Sequence, residues 1–528
     1  MVAWTGTWAL IWALMLAWAW QSCDGFGTFG FDVHHRFSDP VKGILSVDEL
    51  PEKGSVEYYS TMAHLDRVMR GRLLAGSDDQ TALTFFNGND TYRLSSLGFL
   101  YYANITVGTP RKWFLVALDT GSDLFWLPCD CTSCVHGQQI DFNIYSPSES
   151  STSAEVNCSS SLCALQKQCS SARDTCPYKV QYLSNNTSTT GVLVEDVLHL
   201  TPDDSQFQVV DTQITLGCGQ QQTGSFLEGA APNGLFGLGM SNISVPSILA
   251  EQGIVSNSFS MCFGPGIGRI RFGDKGTSDQ GETSFNILGR RHPTYNVSIT
   301  QINMNGTVTD LDFSAIFDSG TSFTYLNDPA YTHISESFDS FIKEKRHSSD
   351  PDIPFEYCYD ISPNQSTIDI PNLNLTMKGG QQFFVTDPLV FISNQNQTIF
   401  CLGLVRSGDV NIIGENFMTG YRIVFDREKM VLGWRASDCY DIPNSNTLPI
   451  SPTGSTAVSP ATALDPQATA GGRNNPQVSS IPSNAGNGPL QLNPFAYFSI
   501  IVSPFFDHCF SISFCQLFFL LSMRVFYV

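Results

Sequence analysis

Phe114–Trp126 reads FLVALDTGSDLFW: an apolar run enters Asp119, Thr120, Gly121 and Ser122 turn the backbone, and a second apolar run ending in Trp126 leads away. The pattern returns in FSAIFDSGTSFTYL, where Ala315–Phe317 enter Asp318 and Ser319, Gly320, Thr321 and Ser322 follow. At average residue usage, D-[ST]-G-[ST] is expected by chance only roughly a few hundredths of a time per chain. Two copies, each after a strand of buried character, mark a repeat at the scale of half a molecule.

One carboxylate on a tight turn is only a polar loop. Two brought face to face repel, so one keeps a proton: the charged member can act as base on a water between them while the other donates to a carbonyl under attack. That is peptide hydrolysis without metal or covalent intermediate. Gly121 and Gly320 suit a sharp turn beside the carboxylates. Thr120 and Ser319 carry hydroxyls suited to cross-linking the two turns, and Ser122 and Thr321 hydroxyls suited to the outer carboxylate oxygens.

On these motifs the chain resembles the pepsin-type (A1 family) aspartic proteases, of the plant nepenthesin-like kind, over about 97–440. The resemblance implies an all-β, bilobal fold with pseudo-two-fold lobes and a central cleft, with Asp119 and Asp318 as catalytic dyad. It makes Trp126, seven residues after Asp119, the support of a flap hairpin in YKVQYLSNNTSTTGVLVEDVL, with Tyr182 as the flap tyrosine and Gly191 turning back into the strand. Ser322 joins Tyr182 and Trp126 as a substrate contact. The apolar-apolar-Gly stretches GLFGLG (Gly234–Gly239) and NIIGENF (Asn411–Phe417) match strands passing beside each catalytic turn. Polypeptide substrates, no cofactor, no metal and, with both copies on one chain, monomeric action follow.

Composition narrows the rest. At 528 residues the chain exceeds one ordinary core. A net charge of −21 argues against nucleic acid. Twelve cysteines lie between Cys129 and Cys439, seven of them within Cys129–Cys176. They read as disulfides or, for C-D-C-T-S-C, as a metal cluster; a secretory context favours disulfides. The family resemblance implies a Cys358–Cys401 bridge.

Val2–Trp20 reads as a secretory signal, giving a signal peptide over 1–22, with an uncleaved anchor as the alternative. Residues 23–96 are read as a propeptide, the chain's own partner, with an opening strand in FDVHHRFSDPV and a helix over Tyr58–Leu74. Arg67, Arg70 and Arg72 are expected to pair with cleft carboxylates until acid releases them; an exposed helix face is the bland reading. The lobes are placed at 97–275 and 286–440. Residues 441–489 are rich in Ser, Pro and Thr and read as a disordered stalk. The apolar tail 490–528 reads as a GPI signal, a membrane anchor or an aberrant end. Eleven N-x-[ST] sequons suit a cell-surface or secreted glycoprotein, although Asn104, inside an apolar strand, reads as unmodified. Two rival readings are a catalytically dead binder, as among xylanase-inhibitor relatives, and an adhesion glycoprotein; both intact aspartates weigh against the first.

Overall fold

The computed structural model describes residues 28–41, 51–70 and 101–439, with short breaks at 135–142, 183–186, 201–208, 228–230, 264–266, 287–292, 363–364, 366–367, 387, 394–396 and 438. The signal, stalk and tail, Arg72, and the sequons at Asn89, Asn185, Asn186, Asn364 and Asn396 lie outside the described residues.

The fold is mostly β. Strands gather into sheets of 14, 7 and 3 members among the described residues. In the largest, β1 (Phe29–His35) lies between strand Ile267–Phe272 and β2 (Tyr101–Val107), antiparallel to both. β2 then pairs with β3 (Lys112–Asp119), which runs parallel to Leu235–Gly237, itself beside β4 (Trp126–Ser133). Inward-facing Phe29 and Val33 of β1 join an apolar core with Tyr101, Phe114, Phe236 and Phe272. The N-terminal segment is therefore built into the fold.

Helix α1 (Val56–Arg70) has the spacing expected for one apolar face, and Tyr58, Met62, Ala63 and Leu65 are buried. It starts two residues before the expected Tyr58, and the expected residues 71–74 lie outside the described residues. Arg67 Nε donates to the Ala63 carbonyl of its own helix, and the buried ion pair of this segment is Arg36 with Asp66. Of Arg70 only its place in the helix is described.

All twelve cysteines pair: 129–218, 131–134, 158–169, 163–176, 262–439 and 358–401. The metal reading of C-D-C-T-S-C is thereby replaced by disulfides. Cys358 and Cys401 face each other directly across adjacent antiparallel strands, as the resemblance implied. Among the sequons, Asn104 of β2 is exposed between buried Ala103 and Ile105, whereas Asn296 is buried and hydrogen-bonded to Asn286.

Candidate active site

Each D-[ST]-G turn ends one strand and is clamped by another. β3 aligns Asp119 with Gly237, and the turn is held by Leu238 N–H to the Asp119 carbonyl (2.9 Å) and Gly239 N–H to the Ser122 carbonyl (2.8 Å). In the second copy, strand Thr307–Phe317 runs parallel to Ile412–Ile413; Asp318 N–H donates to the Ile413 carbonyl (3.1 Å) and Glu415 N–H to the Thr321 carbonyl (2.8 Å). The glycines of these clamps are required by contact. A Cβ on Gly237 would lie 2.3 Å from the Asp123 carbonyl oxygen, and one on Gly414 would lie 2.1 Å from the Phe323 carbonyl oxygen. Backbone cannot yield as a flexible side chain can, so Gly237→Ala and Gly414→Ala are each expected to cost about 1–3 kcal/mol and lower the calorimetric Tm. An unchanged Tm would remove this account of the apolar-apolar-Gly strands.

The two turns touch. Ser319 N–H donates to Thr120 Oγ1 at 3.2 Å, the Ser319 hydroxyl approaches the same oxygen at 3.4 Å, and Thr120 Oγ1 lies 3.5 Å from Asp318 Oδ1. Gly121 and Gly320 N–H groups donate to Asp119 Oδ1 (3.0 Å) and Asp318 Oδ1 (2.9 Å). Thr321 Oγ1 reaches the outer Asp318 Oδ2 at 2.9 Å. The matching Ser122 hydroxyl instead sits buried without hydrogen-bond geometry to any partner, within electrostatic reach of the Tyr182 phenol. Asp119 and Asp318 are 1% and 4% exposed, shut off from bulk water in this form.

Trp126 Nε1–H donates to the Tyr182 hydroxyl at 3.0 Å. Phe226 packs edge-on against both rings, with centroids 4.9 Å from each; nothing in its sequence context marks it. Burial, then the Asp119 charge, keeps the Tyr182 phenol protonated far above its ordinary range.

Tyr325 stands seven residues after Asp318, as Trp126 does after Asp119. Its hydroxyl meets Asp66 Oδ2 of α1 at 3.1 Å. Asp66 also accepts from the Ser322 N–H (3.0 Å), the Ser322 hydroxyl (2.8 Å) and the Phe323 N–H (3.3 Å). Arg36 Nη2 donates to Ser322 Oγ at 2.7 Å and lies 3.8 Å from Asp66 Oδ1. The N-terminal segment thus caps the second turn at the position symmetric to the Trp126–Tyr182 pair, and covers Ser322. An acidic residue on an amphipathic helix carries no sequence signal for such a role.

Two family profiles match the chain, one described as Xylanase inhibitor N-terminal over residues 101–274 and one as Xylanase inhibitor C-terminal over 294–436. The chain is 54% identical to Aspartyl protease family protein 1 of Arabidopsis thaliana, over 92% of this chain and 96% of that protein. It is 40% identical to Aspartic proteinase-like protein 1 of the same plant, over 77% and 80%. Among solved structures, lupine conglutin gamma aligns at TM-score 0.52 and 20% identity, over 65% of this chain and 92% of that one. Soybean Basic 7S globulin aligns at 0.51 and 20%, over 65% and 93%. These two bear on fold alone. Profile coverage and identity over nearly the whole length together show that the chain belongs to the pepsin-like family of aspartic proteases.

Proposed function

We propose that this aspartic endopeptidase works through Asp119 and Asp318 as a dyad sharing one proton over a water, one carboxylate from each of two lobes at 97–275 and 286–440, acting in acid. The observation carrying this reading is the Ser319–Thr120 bond, which sets the two carboxylate-bearing turns against each other. The charged carboxylate takes a proton from the water as it attacks the scissile carbonyl; the protonated one donates to the carbonyl oxygen and later passes a proton to the leaving amine. Activity needs one carboxyl protonated, so it falls as pH rises through the pair's upper apparent pKa, which belongs to the pair and to neither residue. The described residues 28–41 and 51–70 are read as the docked part of the propeptide placed at 23–96, whose removal opens Ser322 to polypeptide substrates. Signal, sequons and tail support a secreted or cell-surface enzyme, GPI-anchored in this reading; phosphatidylinositol-specific phospholipase C is expected to release it from cells.

The test is cleavage of a peptide library by purified, acid-treated protein between about pH 3 and 7, with and without pepstatin. Pepstatin-sensitive cleavage favouring the acid end supports the reading; no cleavage at any pH overturns it.

The lid makes a second prediction. Tyr182→Phe leaves the Trp126 N–H without its acceptor, an orphaning that costs about 1–3 kcal/mol. It is expected to lower kcat/KM on peptides by roughly tenfold with an unchanged circular dichroism spectrum; parent-like kinetics would show the bond idle in turnover.

A further inference from the structure

Within the reading of residues 29–70 as a docked propeptide, we propose that His35 is its acid trigger, the group whose protonation drives the segment from its seat. The ring lies at the end of β1, 8% exposed. It is walled by Phe37 and Tyr101, both edge-on with centroids 5.7 Å away, and by Tyr58 of α1, stacked at 6.2 Å. His35 Nδ1 accepts the Phe37 N–H at 3.2 Å, so the proton of the docked neutral ring is on Nε2 and the Nδ1 lone pair is in use. A second proton must displace that bond and place a cation inside an aromatic box.

The charges facing this box make that cost larger. Arg36, next in the chain and fully buried, and Lys53, on the turn before α1, both repel a positive ring. Asp66 faces Arg36 and is taken up by it together with the Ser322 and Phe323 amides. Glu415 accepts from the Tyr101 hydroxyl at 3.0 Å. The Tyr58 and Tyr101 phenols stay neutral, burial pushing both above their ordinary range. Burial first, then Arg36 and Lys53, accordingly hold His35 well below the ordinary histidine range.

The direction of the pH effect follows. A histidine whose docked pKa is depressed leaves docking intact above the free value of about 6.5, and weakens it by up to about tenfold per pH unit below that, until the docked ring itself takes a proton. Asp66 acts in the opposite sense. Burial raises its carboxyl despite the opposing Arg36 charge, so acid in the carboxylate range favours the docked state at this residue. Release through protonation of the Asp66 carboxylate therefore has the wrong sign. His34, also lowered by burial but opposed by Asp32, is the internal comparison.

The experiment uses the full chain carrying Asp119→Asn, which keeps it uncut. Amide exchange of residues 29–35 is read with short pulses at one fixed pH, after equilibration at a series of values between about pH 7 and 4. The opening constant is expected to rise about tenfold per pH unit below about 6.5. His35→Phe is expected to lower that slope by about one decade per pH unit, and His34→Gln to lower it only close to pH 6.5, because that ring is less depressed. His35→Gln, which keeps an acceptor for the Phe37 N–H, repeats the test should Phe seat badly. Parent slopes in both His35 variants, or a slope lost in His34→Gln instead, would overturn the proposal. The read-out needs no catalysis, so absence of peptidase activity would strike the enzymatic reading alone.

Discussion

Asp119→Asn and Asp318→Asn are each expected to cut kcat for peptide hydrolysis by about 10³-fold or more, in protein with parent-like Tm. Asparagine nearly matches aspartate in shape and still accepts the N–H that Gly121 or Gly320 donates to each carboxylate, so the turns should survive. On the proposed mechanism, what disappears is the ability to take a proton from water, and with it the proton shared between the two carboxyls. If the two act as one unit as proposed, the double variant should be scarcely worse than either single one. Peptide turnover under saturating substrate, beside calorimetry, checks this. Either single variant retaining more than about a tenth of parent activity would be incompatible with a two-carboxyl reaction.

Asp66→Ala is expected to loosen the N-terminal segment at neutral pH by about 3–5 kcal/mol, a roughly 10²- to 10⁴-fold rise in its opening constant. The size comes from what is left behind. Arg36 is fully buried, as is the carboxylate facing it, and without Asp66 it loses this counter-charge. The Ser322 and Phe323 amides and the Tyr325 hydroxyl lose an acceptor at the same time. Amide exchange over residues 29–35 in the Asp119→Asn background reads the effect; unchanged protection would mean that this pair does not hold the segment. Exposed pairs such as Lys343–Asp369 make the contrast, since solvent and salt leave such bridges worth about 0–1 kcal/mol.

The sequence was most legible where geometry demanded particular residue types. Repetition marked Asp119 and Asp318, and the clamping glycines 237 and 414 were visible because only a missing side chain permits the approach of Asp123 and Phe323. The Thr120–Ser319 contact followed from two hydroxyls at matching offsets. Ser122 did not behave like Thr321, because the first turn lies against Tyr182 and the second against α1. Asp66, Arg36 and Phe226 stayed hidden: their roles depend on contacts between residues up to 286 positions apart, and a charge on an amphipathic helix looks the same solvated or buried. The exposure of Asn104 was likewise hidden by its apolar strand. Its strand neighbours Ala103 and Ile105 are apolar and buried on the pleat, yet the side chain between them faces water.

β1 is an interior member of its sheet, held along one side by Phe272 through Ile267 and on the other by Tyr101 and Tyr102. Withdrawing it would split that sheet and bare two rows of backbone donors and acceptors facing each other across a slot about 10 Å wide. Such a slot invites any extended chain, from the same molecule or another. On the proposed acid release, opening and the arrival of a substitute strand must therefore be timed together, and a molecule caught between the two is the one expected to clump.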